Sequence, residues 1–179
     1  MSERVVPHEV RAVFRGRVFT VTIESVTLPG GSTLDMEIVH HPGSVVIVPL
    51  TDDGQLILVR QYRHAIGAYA WELPAGTLEA GERLEAAAVR ECQEEIGMVA
   101  AAVEPLGTLY PTPGYCDESM TFYRMTGLRL PRPGEPRALP DEDESIETGT
   151  FSPGQVRDMV RQGAISDMKT VAGLLLAGV

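Results

Sequence analysis

Hydrophobic and polar positions alternate along the early part of the chain. Phe19, Val21 and Ile23 alternate with Thr20, Thr22 and Glu24, and Leu34, Met36 and Ile38 alternate with Asp35 and Glu37. This is the period of two expected of half-buried strands. Pro29-Gly30-Gly31 between them is turn chemistry, so the two runs predict a hairpin. Residues 44–50 and 55–62 are nearly continuous in Val, Ile and Leu and are joined by Thr51-Asp52-Asp53-Gly54. Strands of that composition tend to be covered on both faces, which predicts a sheet between helices. Residues 83–96 lack Pro and Gly and are rich in Ala, Glu, Arg and Gln, so they predict a helix that Gly97 closes. Strands are predicted at 103–110 and 119–126. Four prolines between 131 and 140 exclude a regular element there. Ser152-Pro153 reads as a cap followed by Pro at the first helical position, with Gly163 ending that helix. A last helix, capped by Ser166, is predicted to run to about Ala177.

Composition narrows the function classes. The 179 residues suit one ordinary domain or slightly more. With 15 Lys and Arg against 25 Asp and Glu, the net charge is −10. Polymeric nucleic acid, which is held by clustered cations, is therefore excluded as a partner. Two cysteines, Cys92 and Cys116, neither in a CxxC pair, form no disulfide framework and fit a reducing cytoplasm. The N-terminus is charged where a signal peptide needs an apolar stretch, and no apolar run approaches the roughly 20 residues that span a bilayer.

The chemistry concentrates on the helix at 83–96. At 100° per residue Glu91, Glu94 and Glu95 share one arc of about 100°. Like charges at that spacing destabilise a helix, so either solvent or a cation must neutralise them. Oxygen ligands from a rigid helix suit Mg²⁺ or Mn²⁺. The bland reading is a solvated acidic face. His40 and His41, adjacent on a strand, point to opposite faces and cannot readily share an ion. Trp71 could stack on a base, but it reads first as a core or interface residue.

The wider context decides between these readings. Gly76, Glu82, Arg90-Glu91, Cys92, Glu94-Glu95, Gly97 and Met98 fall at the spacing Gly-x5-Glu-x7-Arg-Glu-apolar-x-Glu-Glu-x-Gly-apolar. That stretch resembles the signature of the Nudix hydrolases, and only Cys92 departs softly, where a larger aliphatic residue is usual. The resemblance implies an α+β fold, an α/β/α sandwich with a mixed sheet between helices. It also implies hydrolysis of a nucleoside diphosphate linked to another group. Glu91 and Glu95 would then be the principal metal ligands, helped by Glu94 and the main-chain carbonyl of Ala75, and the Glu82–Arg90 ion pair would hold the loop against the helix. Mg²⁺ is the implied cofactor, with Mn²⁺ a possible substitute.

Pro113, 113 − 97 = 16 residues past the last glycine of the signature, lies within Tyr110-Pro-Thr-Pro-Gly-Tyr-Cys-Asp-Glu118. At this spacing the chain resembles the ADP-ribose pyrophosphatases. So do Val59-Arg-Gln-Tyr-Arg63, Trp71-Glu-Leu-Pro-Ala-Gly76, the acidic quartet at 141–144 and Gly163-Ala-Ile-Ser-Asp-Met-Lys-Thr170. By that resemblance Arg63 reaches the substrate phosphates and Glu118 contacts substrate. Glu142, with Glu144 as runner-up, is the base, and Glu95 is counted with them among the catalytic residues. The products would be AMP and ribose 5-phosphate. The alternatives are another nucleotide-sugar pyrophosphatase, such as one for GDP-mannose, or a non-catalytic nucleotide-sensing module. The resemblance further implies a cytoplasmic homodimer. Residues 1–41 would form a dimerising N-terminal sheet and residues 42–179 the Nudix domain, with no membrane or nucleic-acid partner.

Overall fold

The computed structural model describes residues 5–135, 137–138 and 146–179. The chain separates into two compact units, one of residues up to Gly43 with Tyr110–Ser119, the other of Ser44–Leu109 with Met120–Val179. The first unit is a three-stranded antiparallel sheet in the order β1 (Glu9–Arg15), β2 (Thr20–Thr27), β3 (Thr33–His40). The predicted hairpin is β2–β3. Strand β1 is exposed at all seven positions, and Val13 interrupts the alternation of Val10, Ala12 and Phe14 with Glu9, Arg11 and Arg15 that would mark it. The segment 110–119 joins this unit through backbone pairing with the end of β3. Val39 N donates to the Tyr115 carbonyl at 2.8 Å and Asp117 N to the Val39 carbonyl at 3.1 Å.

The second unit contains β4 (Ser44–Pro49), β5 (Leu56–Arg63), β6 (Ala68–Glu72), β7 (Ala75–Thr77), α1 (Leu84–Ile96), β8 (Ala102–Leu109), β9 (Met120–Thr126), β10 (Glu147–Phe151), α2 (Pro153–Arg161) and α3 (Met168–Ala177). One sheet runs β7-β4-β9-β8 and is mixed, because β4 and β9 are parallel; the other, β10-β5-β6, is antiparallel. The turn at 51–54 forms, with Gly54 at φ +75°, but the strands it joins part after a single Leu50–Leu56 bridge and enter different sheets.

Every residue of β4 is buried, and its alternate side chains serve two cores. Val46 and Val48 pack with Leu56, Leu58, Leu73 and Phe122 against Val156 of α2 and Leu174 of α3. Val45 and Ile47 pack with Tyr123 and Met125 against Ala87, Ala88 and Cys92 of α1. This is the sandwich expected of strands apolar on both faces. Full burial of each such aliphatic chain is worth about 1.5–3 kcal/mol, so the layers are held mainly by this strand and its neighbours. Trp71 meets Phe151 edge to face, centroids 5.0 Å apart, as a packing residue at the rim of the first core.

Helix ends follow their chemistry with one correction. Gly97, at φ +69°, closes α1 by donating to the Gln93 carbonyl. Ser152 caps α2 in a reciprocal box with Gln155. The cap of α3 is Asp167 and not Ser166: its carboxylate accepts from Thr170 N at 3.0 Å, and a carboxylate one residue closer to the helix outcompetes the hydroxyl. No helix among the described residues is long and apolar enough to cross a membrane. Asp167→Ala should cost at least about 1 kcal/mol of stability, whereas Ser166→Ala should stay within about 0.5 kcal/mol of wild type; urea unfolding of the two variants checks this.

Candidate active site

Helix α1 lies against β4 and β7 and presents its acidic arc toward the backbone of residues 75–77. Ala87 and Ala88, four and three residues before Glu91, are buried on the same side of the helix, so the arc faces inward with them. The buried Cys92 thiol is pushed up to about 12 by desolvation and stays a packing group. Glu91 and Glu95 are themselves buried, at 7% and 6% exposure, which a solvated acidic face would not show.

Six hydrogen bonds make that burial tolerable. Arg90 Nε and Nη2 donate to the two oxygens of Glu82 at 3.0 and 2.9 Å, and Nη2 also reaches the Thr77 carbonyl at 3.2 Å. Arg90 Nη1 donates to Glu91 at 2.6 Å and to Glu94 at 2.7 Å. Glu95 accepts from the backbone N–H of Ala75 at 3.0 Å. The planar fork of one arginine thus ties the loop to the helix and bonds two of the three carboxylates. Its partners, Glu82 first, hold Arg90 well above the usual guanidinium range, and Arg90 in turn lowers Glu82. Gly76 is required by contact: a β-carbon there would overlap the Glu91 carboxylate.

Arg63, Ala75, Gly76, Arg90, Glu91 and Glu94 line one cleft of about 390 Å³. Arg63 forms a two-point bond with Glu72, Nε to Oε1 at 2.9 Å and Nη2 to Oε2 at 2.6 Å. Glu72 is 3% exposed and also accepts from Lys169. Burial pushes the Glu72 carboxyl up, but the bond from Arg63 and the charge of Lys169 hold it below its usual range. Lys169 Nζ further donates to Asp167 at 3.0 Å, and Thr170 Oγ accepts from Leu73 N at 2.8 Å. Glu72, Lys169 and Thr170 had no assigned role in the sequence reading. Their signal is the burial of charge, and burial of a partner 97 positions away is not visible in one sequence.

Glu118 and Pro113 belong to the first unit. Glu118 lies 3.7 Å from His41 Nδ1, and Pro113 lines a hollow of about 310 Å³ with Ile38, Tyr110, Tyr115, Cys116 and Asp117. His40 takes different partners from His41: Nδ1 pairs with Asp117 at 2.6 Å and Nε2 with Glu24 at 2.9 Å. Glu142 and Glu144 lie outside the described residues.

Residues 40–172 match the NUDIX domain family, and the chain belongs to that family; it is a Nudix hydrolase. It is 38% identical over 161 residues to the ADP-ribose pyrophosphatase of Mycobacterium tuberculosis, an alignment covering 89% of this chain and 76% of the relative. It is 34% identical over 170 residues to the ADP-ribose pyrophosphatase of Bacillus subtilis, covering 95% and 89%. A solved structure described as an ADP compounds hydrolase superposes with a TM-score of 0.80 at 26% identity, covering 98% of this chain and 92% of that one.

Nudix hydrolases generally use a divalent metal. The donor chemistry here fits one: Glu91, Glu94, Glu95 and the Ala75 carbonyl are all hard oxygens, and Gly76 keeps the backbone clear for Glu91. Among the described residues no group of three His, Cys, Asp or Glu side chains is arranged to hold a metal ion, and Arg90 Nη1 bonds both Glu91 and Glu94.

Two outcomes follow. Gly76→Ala should keep the α1 circular-dichroism signal yet lose hydrolysis by about a hundredfold, the scale of an ångström's misplacement at a reacting centre. His40 is raised above its ordinary 6.5, by its bond to Asp117 first, against burial and with help from Glu24. Its charged form is therefore favoured on folding, so its stabilisation is complete below 6.5 and fades as pH rises through the raised folded value. In thermal melts the advantage of wild type over His40→Asn should be present at about pH 6 and shrink by about pH 9.

Proposed function

We propose that this chain hydrolyses the pyrophosphate bond of ADP-ribose, giving AMP and ribose 5-phosphate, with Mg²⁺ as its metal and Mn²⁺ as a substitute. The observation that carries this reading is the cleft lined together by the Arg63 guanidinium and by Glu91, Glu94, Ala75 and Gly76. A cation beside a set of hard oxygen donors suits a diphosphate held between an arginine and a metal. The two pyrophosphatase relatives, each covered over more than three quarters of its length, support ADP-ribose over other nucleoside diphosphates.

Glu91, Glu94 and Glu95, with the Ala75 carbonyl, would hold the metal. When bound, a divalent ion neutralises charge on the pyrophosphate and lowers the pKa of a bound water. Arg63 supplies charge to the phosphate oxygens, and Glu118 contacts the substrate. Glu142, or failing it Glu144, accepts the proton of the water that attacks one phosphorus. A new P–O bond forms as the bridging P–O bond breaks, and each product keeps one phosphate. The enzyme works as a cytoplasmic homodimer whose N-terminal sheet, strands β1–β3, pairs the subunits. The free state of Cys92 and Cys116 supports that compartment, and the exposed Val10, Val13 and Phe14 of β1 support pairing.

A hydrolysis screen in Mg²⁺ over ADP-ribose, sugar nucleotides such as GDP-mannose, dinucleoside polyphosphates and nucleoside triphosphates tests the substrate. ADP-ribose should show the highest kcat/KM, and a preference for triphosphates overturns the reading. Glu91→Gln and Glu95→Gln should each lower kcat by at least about a hundredfold, as expected for loss of a charge-stabilising group. Glu142→Gln should lower kcat far more than it raises KM. Full activity in Glu142→Gln together with loss in Glu144→Gln moves the base to Glu144.

A further inference from the structure

We propose that Lys169 is a positioning residue of the hydrolytic site, acting through Glu72 to keep Arg63 available to the phosphate oxygens of the substrate. The proposal rests on the reading of the carboxylate cleft as a pyrophosphate site.

Arg63 is the cation of that cleft outside the signature helix, yet two of its three nitrogens are turned to Glu72. Left alone with Glu72, Arg63 would form a neutral pair, and a bound phosphate would meet little net attraction. Lys169 changes this balance. Its side chain is 9% exposed, and its ammonium donates to Glu72 Oε2, the same oxygen that Arg63 Nη2 contacts at 2.6 Å. One buried carboxylate is therefore shared by two cations, and Arg63 with Glu72 and Lys169 carries one net positive charge. With Asp167 added, the group is neutral. Removing the lysine leaves a net negative charge beside a cleft that already holds Glu91 and Glu94. The interaction of two charges falls off only as the inverse of their separation, so a cation one side chain behind Arg63 still contributes to the field that a dianionic pyrophosphate meets.

Geometry points the same way. Lys169 and Thr170 lie in the first turn of α3, and both attach to the strand end that leads to Ala75. Lys169 bonds Glu72, and Thr170 Oγ accepts from Leu73 N, two residues before Ala75, whose own N–H is held by Glu95. Asp167 Oδ2 gathers Lys169 Nζ, Thr170 N and Thr170 Oγ, so the ammonium is fixed by the cap of its own helix. Glu72, buried and bonded on both oxygens, transmits the placement of α3 to Arg63.

Steady-state kinetics of Lys169→Met on a nucleoside diphosphate that the wild type hydrolyses, ADP-ribose first, tests the proposal. KM should rise about tenfold while kcat stays within about twofold, the pattern of lost uniform binding. Binding of a non-hydrolysable α,β-methylene analogue, measured by calorimetry, should weaken by the same factor. Lys169→Arg should recover most of the affinity. In a Glu72→Gln background, Lys169→Met should add little, because its route to Arg63 is gone. An unchanged KM and analogue affinity in Lys169→Met, with only a lower melting temperature, assigns the lysine to stability alone and overturns the proposal. A full effect persisting in Glu72→Gln means direct contact with substrate and also overturns it. Should Lys169→Met not fold, Lys169→Gln carries the same expectations. Failure of the wild type to hydrolyse ADP-ribose while Lys169→Met still shows the KM rise on another nucleoside diphosphate removes the substrate assignment and leaves this one standing.

Discussion

Three carboxylates on one arc of a buried helix repel each other, and the second unit is organised around relieving that repulsion. Arg90 takes two of them and the Ala75 N–H takes the third. Each of these partners brings a piece of chain with it. The guanidinium carries the loop through Glu82 and the Thr77 carbonyl, and the amide carries the end of strand β7. The same contacts that allow the acids to be buried therefore shape the cleft wall. A helix with the carboxylates but without that arginine would have to turn them to solvent or lose them to protonation.

Rigid support for this arrangement comes from β4. Its two faces are occupied by different cores, so α1 on one side and α2 with α3 on the other are referenced to the same six residues. A displacement of any of these helices opens a void in one core. Interiors packed at crystal-like density resist such voids. Strand β7, which carries Ala75 and Gly76, pairs with β4 directly at Val45 and Val46. The backbone of the site and the helix of the site thus share one neighbour.

Much of this was legible in the residues. Strands apolar on both faces announced a covered sheet, and the Gly-Glu-Arg-Glu spacing announced the helix and its loop. The unread parts have physical causes. In strand β1, exposed at every position, Val13 breaks the alternation of apolar with charged residues, so the period of two is blurred. Ser166 and Asp167 are comparable caps by residue type, and only the position of Thr170 N decides between them. The parting of β4 and β5 after a well-formed turn is a property of the sheets each strand joins, not of the turn. The Glu72–Lys169 contact joins residues far apart in sequence, each unremarkable in its own window. The role of Arg90 toward Glu91 and Glu94 was half visible, since its partner Glu82 stood out and its two nearer ones did not.

The bond from Leu73 N to Thr170 Oγ spans 97 positions, and the ion pair between Glu72 and Lys169 spans as many. Contacts of that separation form late, because the entropy of closing so long a loop must be met before they stabilise anything. A chain emerging from the ribosome completes its signature helix well before it makes α3. Over that interval it holds the acidic arc but not the clamp on the strand that leads to Ala75. The order of synthesis therefore separates the appearance of the metal-attracting residues from the appearance of a fully ordered site, and the first turn of α3, made well after α1, is the one that joins them.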